Sequence, residues 1–236
     1  MLCKIADLIT DVPETGGLAP RLRDYQWTGT QPPDIIIRED EYRSHMWKGY
    51  PENFRCYMES GFLFYARLLC FQGMMLHASA VVCDGRAYLF SGNCGVGKST
   101  HVGLWQQMLG EDRTVIINDD KPALRYLDGR WYAYGTPWCG KDGINANQRA
   151  PLAGICFLEQ GEENRISILN PKDAVPKLIS QTMHWFYKPE KVYLMLDHMQ
   201  KLLDVIPTYH FVNRPEPDAA RLSFDTMRRE AEKRNL

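Results

Sequence analysis

Residues 92–99 read Gly-Asn-Cys-Gly-Val-Gly-Lys-Ser, matching the phosphate-binding pattern G-x-x-x-x-G-K-S at every fixed position. The residue types suit the chemistry. Glycines let a backbone curl until successive N–H groups point inward at phosphate oxygens, and Gly92, Gly95 and Gly97 supply that freedom here. Lys98 would neutralise the β- and γ-phosphates as a point charge, and the Ser99 hydroxyl would ligate Mg²⁺. The positive end of the following helix would face the same anion. With Asn93, Cys94, Val96 and Thr100, residues 92–100 form a candidate nucleotide site. Cys94 is either an oxidation-sensitive thiol or a small residue the loop tolerates.

A second feature is Asn118-Asp119-Asp120, directly after the apolar Val115-Ile116-Ile117. Phosphoryl transfer from a nucleotide needs a carboxylate at a neighbouring strand end to reach the metal, and often another to take the proton of the attacking group. Adjacent aspartates alternate sides of an extended backbone, so one can face the metal and the other the substrate. An Asp-rich turn is the competing reading. Weaker candidates lie further along. Lys141 ends Gly135-Thr-Pro-Trp-Cys-Gly-Lys141, which either closes over a triphosphate or acidic substrate or is a tight turn capped by a buried Trp138. Arg149 could clamp phosphate and Glu159 could reach the metal, with surface roles the alternative for both.

The elements around these residues set the expected fold. Ala87–Phe90 is a short apolar run entering the loop, and Val102, Trp105, Met108 and Leu109 share one face of the helix that leaves it, with Gly110 as a stop. Strands are expected at 76–83 and 86–90 across Asp84-Gly85, at 114–118, and at 122–127 and 130–134 across Asp128-Gly129. A third antiparallel pair is expected between 152–158 and 165–169. Helices are expected at 59–71, 172–183 and 189–203 and from 218 onward, with strands at 34–38 and 205–212. So many antiparallel pairs depart from a doubly wound nucleotide fold. The expectation is α/β: a mixed, partly antiparallel sheet with flanking helices, divided into an N-terminal α+β subdomain (1–74) and a P-loop domain with a helical C-terminal part (75–236).

Composition bounds the rest. A chain of 236 residues with 44% apolar content can bury a sizeable core. A net charge of −1 with no long Lys/Arg run argues against a nucleic-acid groove. No apolar stretch reaches membrane-spanning length and the first residues lack the order of a signal peptide, so a cytoplasmic location and no membrane partner are expected. The seven cysteines form no C-x-x-C pair, which points to reduced thiols.

The ordered set of His77 in Leu-His-Ala-Ser-Ala, a hairpin, the loop Gly92–Ser99 and the pair Asp119-Asp120 resembles the catalytic core of the HPr kinase/phosphorylase family, whose fold is akin to the ATP-dependent phosphoenolpyruvate carboxykinases. The likeness is close over about residues 75–125 and holds in outline to about 170. It implies ATP and Mg²⁺ as ligands and Asp119 as the base for a serine hydroxyl, assisted by His77. Asp120 and Ser99 would hold the metal. It also implies a homo-oligomer, since the family forms ring-like hexamers. The chain departs from the family in lacking its glycine-rich signature after the aspartates and its regulatory domain, so HPr does not carry over as substrate.

The function expected is therefore an ATP-dependent phosphotransferase acting on a hydroxyl of a protein, peptide or small molecule, with serine favoured. The alternative is a nucleotide-sensing regulator or maturation partner with little or no turnover. A GTPase switch is disfavoured because no Asn-Lys-x-Asp motif occurs.

Overall fold

The structure is a computed structural model and describes residues 1–14, 16–42, 47–183 and 188–236. The chain begins with the antiparallel strands β1 (Leu2–Ile5) and β2 (Leu8–Asp11), passes a short helix α1 (Ala19–Leu22), and returns to β2 through the two-residue parallel strand β3 (Ile35–Ile36). Helix α2 (Glu52–Leu68) follows Pro51 and ends in a 3-10 turn over Leu69–Phe71. It starts seven residues before the expected position, because the amphipathic pattern read from 59 continues back to the proline.

The central sheet contains β4 (Gly73–Met75), β5 (Ala78–Cys83), β6 (Arg86–Ser91), β7 (Thr114–Asn118), β8 (Ala123–Leu127), β9 (Arg130–Tyr134), β10 (Arg149–Gln160), β11 (Arg165–Ile168) and β12 (Thr208–Asn213). The strand order is β4-β8-β9-β10-β6-β5-β7, and β12 lies between β10 and β11. Both expected hairpins form. Asp84 and Gly85 take φ of 48° and 78°, and Asp128 and Gly129 take 50° and 79°, the left-handed pairs that a two-residue turn between twisted strands requires. The sheet is mixed, as expected.

The third pairing expected from the sequence is not formed. β10 runs parallel to both β6 and β12, while β11 pairs antiparallel with β12. The physical reason is burial: β10 is continuously buried from Leu152 to Leu158, the mark of a central strand covered on both faces rather than an arm of a surface hairpin. Another difference bears on the site. The strand expected from residue 76 begins only at Ala78, so His77 sits in a break between β4 and β5, where its backbone N–H donates to the Gln181 carbonyl (2.8 Å).

Helices α3 (Lys98–Leu109) and α6 (Pro217–Lys233) cover one face of the sheet, and α4 (Pro171–Ser180) and α5 (Pro189–Val205) cover the other. Alternation along β6 supplies both contacts. Tyr88 and Phe90 pack with Trp105 and Phe224, whereas Ala87 and Leu89 pack with Leu178 and Leu202. The strand expected over 205–212 is shortened because α5 continues through Val205, and α4 ends at Ser180 rather than 183. No helix among the described residues is long and apolar enough to cross a membrane.

Candidate active site

The glycine loop joins the end of β6 to the start of α3. Gly92, Gly95 and Gly97 hold φ of 143°, 79° and 103°. A Cβ at Gly95 or Gly97 would meet nothing within 4 Å, so conformation alone demands glycine there, whereas at Gly92 it would stand 3.1 Å from the Leu158 carbonyl oxygen and from Val96. Lys98, only 8% exposed, folds back so that Nζ donates to the carbonyls of Gly92 (3.0 Å) and Asn93 (3.2 Å). Burial lowers its pKa against the opposing pull of Asp120. Ser99 and Thr100 are exposed at the first turn of α3.

The acidic pair is aimed by Asn118, the last residue of β7, which is fully buried. Its Oδ1 accepts from the backbone N–H groups of Asp120 (2.9 Å) and Lys121 (2.6 Å), and its Nδ2 donates to the carbonyl and hydroxyl oxygens of Thr136 (3.0 Å each). All the polar groups of one amide are spent on holding this turn. The two carboxylates then part company. Asp119 Oδ1 accepts from the Ser79 hydroxyl at 2.5 Å. Asp120 Oδ1 lies 3.3 Å from His77 Nε2, and its Oδ2 contacts the Lys121 ammonium. Burial works against the charge on Asp120, but the hydrogen bond from His77 and the Lys121 ammonium outweigh it and hold the carboxyl at about 2.

His77 therefore stands beside Asp120 and not beside Asp119. Its other ring nitrogen, Nδ1, lies 3.1 Å from Gln181 Oε1, and Gln181 Nε2 in turn donates to Asn93 Oδ1 in the loop (3.4 Å). A continuous polar chain runs from the glycine loop through Gln181 and His77 to Asp120.

Two of the clefts beside the loop hold candidate residues. One, of about 440 Å³, brings together Lys98, Ser99, His77, Asp119, Asp120 and Lys141. The other, of about 580 Å³, runs from Asn93 and Val96 to Phe157, Glu159 and Lys177. Glu159 thus lies across the loop from the aspartates, with its carboxylate accepting from His210 Nε2 (2.8 Å). Arg149 lines neither cleft. It pairs with Asp7 and the Tyr134 hydroxyl and packs over the Tyr132 and Tyr134 rings. Lys141 is carried by a loop that α1 and α2 pin down together. Trp138 Nε1 donates to Ser60 Oγ (3.1 Å), Tyr57 OH accepts from the Gly140 N–H (3.0 Å), and Arg21 donates to the Gly140 carbonyl (2.5 Å).

The donor set suits a hard divalent cation. No cluster of three or more His, Cys, Asp or Glu side chains among the described residues forms a protein-only metal cage. Mg²⁺ needs none, since it is held by one or two protein oxygens together with substrate phosphates and waters. Ser99, Asp119 and Asp120 in one cleft offer such oxygens.

Asn118, Ser79 and Gln181 are the positioning residues that sequence reading passed over. The first two carried faint signals: Asn118 adjoins the aspartates, and Ser79 lies two residues after His77, on the same side of an extended chain. Gln181 carried none, being 104 residues from the histidine it touches.

Neither the family models nor the curated proteins yield a match to this chain. Among solved structures it is similar to the HPr(Ser) kinase/phosphatase from Coxiella burnetii, at 12% identity and a TM-score of 0.38, covering 68% of this chain and 92% of that one. A likeness that distant decides nothing about chemistry, which rests on the site itself.

Proposed function

We propose that this protein is an ATP- and Mg²⁺-dependent phosphotransferase that moves the γ-phosphoryl group to a hydroxyl, in particular a serine of a protein or peptide. The observation that supports it is the convergence of Lys98, Ser99, His77, Asp119, Asp120 and Lys141 on one cleft beside a glycine loop whose φ angles suit a phosphate cradle.

In this reading the loop N–H groups and Lys98 bind the triphosphate, with Lys98 exchanging its carbonyl partners for phosphate oxygens. Mg²⁺, when bound, offsets charge on the β- and γ-phosphates; Ser99 and Asp120 would hold it. Asp119, oriented by the Ser79 hydroxyl, accepts the proton of the attacking hydroxyl. The hydroxyl oxygen forms a bond to the γ-phosphorus. The bond from that phosphorus to the β–γ bridging oxygen breaks, and ADP leaves with the electron pair. His77 positions Asp120 in place of its family-implied role beside Asp119.

Calorimetric titration with Mg-ATP and Mg-GTP, followed by transfer of labelled γ-phosphate into an extract of the source cell, tests the proposal. Saturable ATP binding with a labelled acceptor is the expected result. Tight binding without transfer would replace it with a nucleotide-sensing role, and no binding would overturn both.

A further inference from the structure

A third cleft, of about 460 Å³, lies beyond the aspartates, on the side away from the glycine loop. It is walled by Phe54, Tyr57 and Met58 of α2 and by Arg21, and ends at Asp120 and Lys141. Those last two residues also line the phosphate-loop cleft, so the two spaces meet at the reacting centre.

The outer wall is aromatic and open to solvent. Phe54 is 37% exposed and stacks on Tyr50, itself 56% exposed, at 4.8 Å and 23° between planes; Trp47 packs edge-on against both rings. Rings assembled in this way at the mouth of a cleft mark a contact surface for an apolar group. The rim is cationic. Arg21 lies over the Tyr57 ring (4.9 Å) and Lys121 over the same ring (5.6 Å), while Lys141 is exposed and makes no ion pair among the described residues. Against these charges the lining sets Asp120, which is already engaged by His77 and Lys121. An occupant that is both apolar and acidic complements the groove.

Building on the phosphotransferase reading, we propose that this groove is the acceptor subsite, and that it takes a polypeptide segment whose acceptor serine is neighboured by a bulky apolar side chain and by an acidic residue. The apolar side chain rests on Phe54 and Tyr57, the carboxylate pairs with Lys141, and the serine reaches inward to Asp119. A simple alcohol would leave the aromatic platform without a partner, whereas consecutive side chains of a peptide reach the platform and the cationic rim at once.

The test is label transfer from γ-labelled Mg-ATP by the full chain to an array of serine-centred peptides in which each flanking position is scanned. Peptides with a large apolar and an acidic neighbour should be labelled at least about tenfold faster than alanine or lysine versions, the scale of selectivity that one pocket contact confers. Lys141→Glu should shift the preference from an acidic to a basic flank, a gain that misfolding cannot imitate. Phe54→Ser should raise KM for the preferred peptide with kcat held within about twofold, the pattern of lost ground-state binding.

Transfer without flanking preference, or a preference unchanged in both variants, overturns the groove and leaves the phosphotransferase standing. Label found only in small molecules of a cell extract overturns the polypeptide occupant. Mg-ATP binding with no transfer to any acceptor overturns the groove together with the catalytic reading.

Discussion

Asp119 and Asp120 are neighbours in the chain with different attachments, and the roles proposed for them follow from that difference. Asp120 is held ionised at about 2 by His77 and Lys121, which makes it a poor proton acceptor and a sound ligand for a cation. Among the described residues Asp119 has one side-chain donor, the Ser79 hydroxyl, and it lines the cleft. Asp119→Asn should therefore leave Mg-ATP affinity within a few-fold of wild type and cut phosphoryl transfer by about a hundredfold or more, the usual contribution of a general base. Lys98→Ala should instead weaken nucleotide binding itself. Calorimetry and initial rates on the two variants separate these roles, and equal turnover in Asp119→Asn would remove the base assignment. The glycine loop and the acidic turn were legible from sequence because local geometry dictates residue type there: only glycine adopts these φ angles freely, and two adjacent aspartates at a strand end stand out in the chain. The polar chain through Gln181 was not legible, since a glutamine acquires meaning only when the fold carries it to His77.

The glycine loop and the acidic turn keep their geometry because helices are braced against them. α2 holds the loop carrying Lys141 through Trp138, which stacks on Phe64 at 4.8 Å and donates to Ser60. Gly61 makes that approach possible, as a Cβ there would fall 2.7 Å from the indole ring. Gly61→Ala should cost about 1–3 kcal/mol of stability through overpacking, read as a lower denaturant midpoint at constant m-value. α3 is braced by α6 through a buried polar contact. Ser223 donates to the Ala220 carbonyl and accepts from Trp105 Nε1, so His101 Nε2, at 2.8 Å, must donate to the same hydroxyl oxygen. Its Nδ1 is left buried without a hydrogen-bond partner among the described residues. Burial depresses the His101 pKa to about 4. Between that value and the ordinary 6.5 the unfolded chain binds a proton that the folded chain does not. Stability should be full above that window and fall as pH drops through it, by on the order of 3 kcal/mol from this residue. Denaturant unfolding near pH 7 and near pH 4.5 should show a smaller acid loss in His101→Gln than in wild type, and an equal loss would refute the account. Elements of this kind were partly readable in the sequence. Hairpin turns announce themselves by Asp-Gly, but the parallel pairing of β10 with β6 and β12 joins distant segments and leaves no local mark, so its continuous apolar run was paired with the wrong neighbour.

At the scale of the molecule, the division expected at residue 74 bears on what the proposed groove is made of, because Arg21 and Phe54 come from one side of it and Asp120 and Lys141 from the other. We propose that residues 1–74 and 75–236 form subdomains that unfold as one. Ile5, Leu8, Phe64 and Tyr65 share a buried cluster with Met75, Ala123, Tyr134 and Trp138, so detaching the first segment would bare apolar surface on both. Polar groups cross the same boundary. Arg125, 7% exposed, donates to the carbonyls of Ala6 (2.7 Å) and Phe71 (3.1 Å), and Asp7 accepts from the Tyr134 hydroxyl (2.8 Å). A guanidinium stripped of those carbonyls while still half enclosed by the sheet would carry the penalty of an unpaired buried charge, which makes a half-detached state costly. Scanning calorimetry should accordingly give a single transition whose calorimetric and van't Hoff enthalpies agree. Fluorescence of the aromatic cluster and far-ultraviolet dichroism should follow the same curve. A separate early transition would show that the N-terminal segment moves independently, and the groove would then be assembled by closure of that segment in place of being built into the folded chain.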